Sequence, residues 1–342
     1  MKLRVGLVGL GNAWELRHRP ALRALSDRFE VRAICEQVAH RAEVAARDFG
    51  AAPVDGFRAL CAREDIDAVL VLAGSWFGAL PILAACDAGK AVYCAAALDM
   101  ETDQARVVRA RVHESGVAFM AELPRRHAPA TLRLKELIAT RLGMPRLLFC
   151  HQRVPTDAKS TGLAAKQPVS RMHDLVELVD WCRYVVGREP TSVLSIRHRS
   201  PKDPADCDYE MMSLDFSGAD GPGTDITAQI SSGRYMPAEW PEAVTHRPPA
   251  ALQVACERGI AFVDMPSSLV WFDKAGRQVE SLDSERPVGE QLLSQFHRSV
   301  TSLVRSTAGL EDAYRAMLIV QQAWASQTDG CRKYLNFDND TR

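Results

Sequence analysis

A chain of 342 residues that is 47% hydrophobic and 25% charged is long enough for two ordinary cores and has the composition of a globular protein, not of a fibrous or disordered one. Its 42 basic and 43 acidic residues leave a net charge of -1 with the signs interspersed, which argues against a basic stripe for nucleic acid and against an acidic tail. Nine cysteines stand singly, with no CxxC pair, and no export-type apolar leader precedes the first charged strand, so the expected location is the cytoplasm with its thiols reduced.

The first element is an apolar strand, Leu3 to Val8, running into Gly9-Leu10-Gly11-Asn12-Ala13-Trp14 and a helix over Asn12 to Leu25; the next strand, Phe29 to Cys35, ends at Glu36. A strand, a glycine turn and a helix in this order form a dinucleotide-binding opening. Gly9 and Gly11 permit a tight turn, and backbone N–H groups of Gly9, Gly11, Asn12 and Ala13 can approach a pyrophosphate. Glu36 stands where a carboxylate accepts hydrogen bonds from a ribose hydroxyl and repels a 2'-phosphate, so the expected cofactor is NAD rather than NADP. An ordinary strand-end carboxylate is the alternative reading of Glu36, and Arg41 is the residue that would favour a phosphate. Trp14 breaks the fingerprint, because a small residue there normally lets the helix pack closely on the strand. An indole must shift the helix or occupy space near the phosphates, which leaves loss of cofactor binding as an open alternative.

Helix Val38 to Phe49, a helix near Phe57 to Arg63, strand Ala68 to Leu72, helix Phe77 to Ala88, strand Ala91 to Cys94, helix Glu101 to Ser115 and strand Val117 to Ala121 follow. This alternation predicts an α/β Rossmann domain with a doubly wound parallel sheet over residues 1–123. The uncharged run Ala68 to Cys86 carries Gly74, Ser75, Gly78 and Pro81 and reads as strand, loop and helix, not as a membrane span. Beyond Pro124 come helix Pro129 to Arg141, strand Arg146 to Arg153 and helix Met172 to Val186. Strand-like runs follow at Ser192 to Arg197, Glu210 to Phe216, Asp225 to Ser231, Ala251 to Ala255, Ile260 to Asp264 and Leu269 to Phe272. Strands without intervening helices predict a C-terminal α+β domain, residues 124–342, with a mostly antiparallel open sheet. Thr156 to Pro168 and Tyr235 to Pro249 read as loops. Helix Leu310 to Gln327 closes the chain and is a candidate to pack back between the domains.

Several phrases in this order carry a resemblance: Val5-Gly-Leu-Val-Gly-Leu-Gly-Asn with Arg19-Pro-Ala-Leu22, Asp87-Ala-Gly-Lys-Ala-Val-Tyr-Cys94, Arg126-His-Ala-Pro129, Asp180-Trp-Cys-Arg-Tyr-Val-Val-Gly187 and Glu311-Asp-Ala-Tyr-Arg-Ala316. Together they resemble the glucose-fructose oxidoreductase and inositol dehydrogenase family, Gfo/Idh/MocA, over nearly the whole chain. The resemblance implies NAD(P)-dependent oxidation or reduction of a sugar, a polyol or a related hydroxyl compound. It also implies contacts between copies through the open C-terminal sheet, giving a homodimer or homotetramer.

The resemblance also exposes departures. Where the family has Glu-Lys-Pro, this chain has Ala95-Ala96-Ala97; the lysine that helps polarise the reacting hydroxyl is Ala96. The family's Thr-Pro-x-x-x-His turn is replaced by Ala73-Gly-Ser-Trp-Phe-Gly78, which weakens cofactor contacts and leaves Ala73 and Ser75 as the cofactor-side candidates. The Asp-x-x-x-His of the substrate-domain helix falls on His173 and Glu177, with acid and base types swapped. His173, Glu177, Asp180 and Tyr184 share one helix face, and a His and a Glu one turn apart can act as a proton-transfer pair. The alternative is a solvated face with an i,i+4 ion pair. Lys166 is the candidate to replace the missing lysine, against a plain surface role. Arg126 and Asp180 are the substrate-binding candidates, although arginines at 125 and 126 equally suit salt bridges. No third ligand joins His173 and Glu177, so no metal is expected. Two functions therefore stand on one scaffold: an oxidoreductase with an altered active site acting on a small molecule, and a non-catalytic ligand-binding or regulatory protein. Neither involves a nucleic acid or a membrane.

Overall fold

The computed structural model describes residues 1–73, 77–95, 98, 100–156, 171–199, 207–217, 225–237, 239–246, 248–302, 307 and 309–337. Ser75, Trp76, Ala96, Ala97, Lys166 and most of the expected loop from 156 to 168 lie outside the described residues. The chain divides into two compact units, the first containing Met1–Pro124 and Arg286–Met317 and the second built on Leu175–Glu285 with the segments that flank it.

In the first unit, β1 (Leu3–Val8) leads through a five-residue π-helical turn, Trp14–His18, into α1 (Arg19–Ala24). Then come β2 (Phe29–Cys35), α2 (Ala39–Phe49), β3 (Ala52–Pro53), α3 (Phe57–Cys61), β4 (Ala68–Val71), α4 (Leu80–Asp87), β5 (Ala91–Cys94), α5 (Thr102–Ser115) and β6 (Phe119–Ala121). The strands line up as β3-β2-β1-β4-β5-β6, and every neighbouring pair is parallel. Strands 4 and 5 are buried at every residue, as expected of a parallel sheet covered by helices on both faces. The order reverses between β1 and β4, and the crevice beyond the carboxyl ends of those two strands is where open α/β sheets bind ligands. The expected doubly wound sheet is therefore present, extended by the short β3, whose two residues include a proline and carry no strand period.

A 3-10 turn, Pro124–His127, precedes α6 (Pro129–Leu137), which continues as a π-helical turn, Ile138–Leu142. After these lie β7 (Pro145–Thr156), α7 (Arg171–Val186), β8 (Ser192–Arg199), β9 (Cys207–Asp215), β10 (Thr227–Pro237), α8 (Pro241–Thr245), β11 (Leu252–Cys256), β12 (Ile260–Asp264), β13 (Ser268–Asp273) and β14 (Gly276–Ser281). The chain ends with α9 (Val288–Thr301), α10 (Leu310–Asp329) and β15 (Lys333–Tyr334). The second sheet has nine strands ordered β14-β13-β12-β11-β7-β10-β9-β8-β15. Every described pairing in it is antiparallel except β10 with β7. Alternate residues such as Leu148 and Cys150, Met212 and Leu214, and Ala261 and Val263 are buried, while their neighbours face outward.

The stretch Tyr235 to Pro249, expected as loop, instead extends β10 to Pro237 and forms α8. Further elements escaped the sequence reading, β14 and α9 among them. Strand β14 is an exposed, polar edge (GRQVES) with a single apolar residue. Helix α9 does carry an apolar stripe, Leu292, Leu293 and Phe296, and these join the core of the first unit. Among the described residues no helix is long and apolar enough to cross a membrane, and all nine cysteines are free thiols.

Trp14 settles into that same core. Its indole is 4% exposed and lies 5.9 Å, centroid to centroid, from the Phe49 ring. The helix makes room by opening wide: Arg17 and His18 both donate their backbone N–H to the Ala13 carbonyl, at 2.9 and 3.2 Å. The helix is thus shifted, one of the two outcomes an indole at that position allows. Truncation to Trp14→Ala should cost about 3–5 kcal/mol of unfolding free energy, in the range for buried aromatic deletions. Urea denaturation showing a loss below about 1 kcal/mol, the size typical of surface changes, would contradict a core role.

Candidate functional site

The glycine turn is built by what lies beneath it. Gly9 and Gly11 have φ of +68° and +61°, a left-handed conformation that costs other residues roughly 1–2 kcal/mol. Space forbids side chains as well. A Cβ on Gly9 would lie 2.5 Å from the Ala73 Cβ, and one on Gly11 would lie 2.1 Å from the Leu72 carbonyl oxygen. The turn therefore rests directly on the end of β4, with Ala73 as its floor. A cavity of about 320 Å³ opens beside it, bordered by Gly11, Asn12, Trp14, His40, Arg41 and Val44 among others. A glycine turn at the switch point, with a cavity against it, fits a dinucleotide phosphate.

Glu36 does something sequence reasoning did not foresee. Its Oε2 accepts the Leu10 N–H at 2.8 Å and its Oε1 accepts the Gln37 N–H at 2.9 Å. The carboxylate thus braces the glycine turn across the mouth of the site. Each oxygen retains a further lone pair, so a ribose hydroxyl can still be accepted.

Behind the turn lies a buried ionic hub. Glu122, 1% exposed, follows β6 and receives Arg17, which forms an ion pair with its Oε1. The His18 Nε2 lies 2.8 Å from its Oε2, and the Tyr93 hydroxyl donates to the same oxygen at 2.7 Å. Burial by itself would push the Glu122 carboxyl up; the charges of His18 and Arg17 and the bonds from His18 and Tyr93 outweigh it and hold it at about 2. Burial and the neighbouring Glu122 push the Tyr93 phenol well above its usual range. Nothing in the spacing of residues 17, 18, 93 and 122 announces this hub, because the parallel sheet assembles it from three separate strand ends and turns.

In the second unit the candidate residues of α7 are closed onto arginines. Arg126 forks both carboxylate oxygens of Asp180, at 2.6 and 2.5 Å, and its guanidinium lies 5.1 Å from the Tyr184 ring centroid. Arg183 adds a third contact to Asp180 at 3.3 Å. Arg125 pairs with Glu177 at 3.3 Å and sits 5.2 Å from the Trp181 ring. Trp181 in turn donates its Nε1–H to Thr131 at 2.9 Å. The expected alternative, a solvated face with an i,i+4 ion pair, is met in neither part: Asp180 is buried, His173, Glu177 and Tyr184 are half-buried, and Glu177 and Asp180 form ion pairs with arginines. A buried, paired carboxylate and an arginine fork explain why a polar stripe runs on an almost wholly enclosed helix. His173 lies on the first turn of the same helix, half-buried. Lys166 and Ser75 fall outside the described residues. Among those described, no group of three potential ligands could hold a metal ion.

A parallel sheet with a glycine turn at its switch point, followed in the chain by a large, mostly antiparallel sheet, defines a two-sheet scaffold of Rossmann type. A sequence model of the GFO_IDH_MocA family, described as an oxidoreductase family with an NAD-binding Rossmann fold, matches residues 3–123. Over that stretch the chain is similar to this family. It is 29% identical over 201 residues to inositol 2-dehydrogenase 3 of Saccharopolyspora erythraea, a match covering 58% of each chain. The fold agrees over nearly the full length with an aldose-aldose oxidoreductase from Caulobacter crescentus complexed with glycerol. There the TM-score is 0.81 and the identity 15%, over 98% of this chain and 100% of that one. It agrees likewise with an oxidoreductase from Agrobacterium radiobacter in complex with NAD+, L-tartaric acid and magnesium, with a TM-score of 0.78 and 15% identity over 98% of both chains.

Removing the hub's carboxylate should expose its weight. Glu122→Gln leaves Arg17 without its buried counter-charge, a change that costs about 3–5 kcal/mol in such settings. Because the folded carboxyl is held below its ordinary value of 4.5, its stabilisation is complete above that value. It is withdrawn as pH falls from 4.5 towards about 2. Urea midpoints measured across this window should fall less steeply in Glu122→Gln than in the parent; equal slopes would contradict the assignment.

Proposed function

We propose that the protein is a nicotinamide-dinucleotide-dependent oxidoreductase acting on a hydroxyl of a sugar, polyol or related small molecule, with an altered acid-base group. The observation that carries this reading is the glycine turn seated without Cβ clearance on Leu72 and Ala73 beside a cavity. Gly11, Asn12 and Ala13 would hold the pyrophosphate, over a floor made by Ala73, with Ser75 in the continuing segment; Gly9, expected to share in this, donates its N–H to the Cys35 carbonyl at 2.8 Å and serves to shape the turn. Glu36 would accept a ribose hydroxyl, which makes NAD the expected cofactor. Bound there, the nicotinamide supplies the hydride acceptor. His173 takes the hydroxyl proton at its imidazole, and Glu177, one turn along and paired with Arg125, supplies negative charge favouring the imidazolium. Lys166 is the candidate to polarise the same hydroxyl. We assign Arg126 and Asp180 to bracing α7, because their fork is closed on itself. The chain spans 58% of the length of the inositol dehydrogenase it matches, and the substrate class rests on that relative's activity and on the family.

Free thiols at all nine cysteines support a reducing, cytoplasmic setting. For the homo-oligomer, the outer face of the nine-stranded sheet carries a register row of Leu147, Ala255, Ile260 and Phe272, in which Leu147 and Phe272 are 47% and 40% exposed. A row of partly exposed apolar residues suits contact with a second copy. Leu147→Asp combined with Phe272→Asp should convert an oligomer to a monomer in sedimentation velocity; an unchanged mass would remove this face from the interface.

A second reading, a non-catalytic ligand-binding or regulatory protein, is favoured by Ala96 where the family places lysine. Calorimetric titration of cofactor-free protein with NADH, followed by a screen of polyols and sugars on nicotinamide absorbance, separates the two. The oxidoreductase reading expects binding and turnover, with His173→Ala lowering kcat by about 10²–10⁴-fold, the usual contribution of a general base. Binding without turnover of any substrate supports the second reading, and no binding of the nucleotide overturns the first.

A further inference from the structure

The outer face of the nine-stranded sheet has a centre, and a titratable side chain stands on it. Strand β7 is the fifth of the nine, and His151 is the seventh of its twelve residues. Side chains two apart on a strand share a face, so His151 lies on the same face as Leu147 and Phe149. In register with His151 are Ser231, Met211 and Ile196; Val279, at the opposite edge, is in register with Phe149. Ile196 and Val279 are exposed, like Leu147 and Phe272, so apolar side chains extend from one flank of the sheet to the other. Nine strands spaced about 4.8 Å apart make the face roughly 40 Å wide, room for the ~800 Å² per partner that a stable pair of proteins buries.

His151 is half-buried, and its Nδ1 lies 2.7 Å from the Ser231 Oγ, its one side-chain hydrogen bond among the described residues. Burial, and after it the charge of Arg153, push the imidazole below its ordinary value of 6.5, so the ring is neutral at neutral pH. The charged groups about it are few. Arg153, two residues on, shares its face and pairs with no carboxylate among the described residues. The flanking positions of β10 and of the β11 strand line are Gln229, Ser231, Gly233, Ala251 and Gln253, none of which titrates. Helix α8, packed against β7 and β10, brings Glu242 and is followed by His246.

We propose that two copies of the chain pack face to face across this sheet, with the contact centred on β7, and that it closes only while His151 is neutral. The proposal rests on the reading of this face as the surface between copies and adds its centre and its pH dependence. Two identical faces in closed contact are related by a two-fold axis, beside which a residue meets its own counterpart. At the middle of the middle strand that residue is His151. Two neutral imidazoles, each bonded to its Ser231, can enter such a contact, whereas two imidazolium rings would be like charges losing water together, next to two guanidiniums. Arg153 is long enough to carry its charge out to solvent at the rim; a ring tied to Ser231 is not. Association therefore excludes protons. It is complete above the ordinary histidine value of 6.5 and weakens as pH falls below it.

Sedimentation of the full chain over a range of concentrations at about pH 7.5 and about pH 5.5, either side of the histidine range, tests this, with circular dichroism checking the fold of each sample. The parent should associate at the higher pH and lose at least tenfold in affinity at the lower. His151→Gln, which keeps an amide for Ser231 but cannot take up the charge, should differ by less than threefold between the two. His151→Lys puts a charge in place without acid and should weaken association at least tenfold at the higher pH. A parent with the same affinity at both values, a pH dependence in His151→Gln equal to the parent's, or an unchanged affinity in His151→Lys overturns the proposal and leaves the interface reading intact. A parent that is monomeric at both values overturns the two together. An oligomer that survives Leu147→Asp with Phe272→Asp places the contact elsewhere and does the same.

Discussion

The constraint on which the first unit depends is the closeness of its two central strands at their carboxyl ends. The turn after β1 passes so near Leu72 and Ala73 that neither Gly9 nor Gly11 can carry a side chain, and both adopt a backbone conformation natural only to glycine. From this follow the direction of the chain as it leaves β1 and the place of the cavity that opens against the turn. Trp14 is accommodated within the same constraint: the turn stays, and the helix after it widens to a π-helical register so that the indole can enter the core. Glu36 then braces the turn from the neighbouring strand.

Each unit also contains a buried carboxylate held by arginine. Glu122 gathers Arg17, His18 and Tyr93; Asp180 gathers Arg126 and Arg183. Such clusters are poor net sources of stability against an apolar alternative, yet costly to break once formed. Their effect is to fix orientation. The first ties the π-helical turn to the ends of β5 and β6, and the second ties the turn before α6 to α7. Side chains that look available for chemistry in sequence are thereby committed to geometry, and the groups left for chemistry are correspondingly few.

The sequence made the Rossmann architecture legible because strand and helix periods alternate cleanly, and strands such as Phe29–Cys35 and Ala91–Cys94 have the same limits in both readings. The antiparallel character of the second sheet was legible too, from strands that follow one another without helices. What escaped was very short, as β3 is, exposed and polar, as β14 is, a helix with only a narrow apolar stripe, as α9 is, or assembled from distant positions. Glu36 shows the limit well. Its place after β2 was visible, but its bond to Leu10, 26 residues earlier, depends on strand register. The stripe on α7 was likewise correctly placed on one face, yet its burial depends on arginines at 125 and 126 that no helical period relates to it. Cavity-lining residues such as His40, on the exposed first turn of α2, carry no sequence signal.

The central claim is that the glycine turn, and not another surface, receives a nicotinamide dinucleotide. Hydrogen–deuterium exchange with and without NADH tests it most directly, because the turn's own amides report contact irrespective of turnover. Added protection is expected in the peptides spanning Gly9 to Arg19 and Glu36 to Ala45, with little change in the nine-stranded sheet. Unchanged exchange in both of those peptides at saturating nucleotide, or protection confined to other segments, would contradict it.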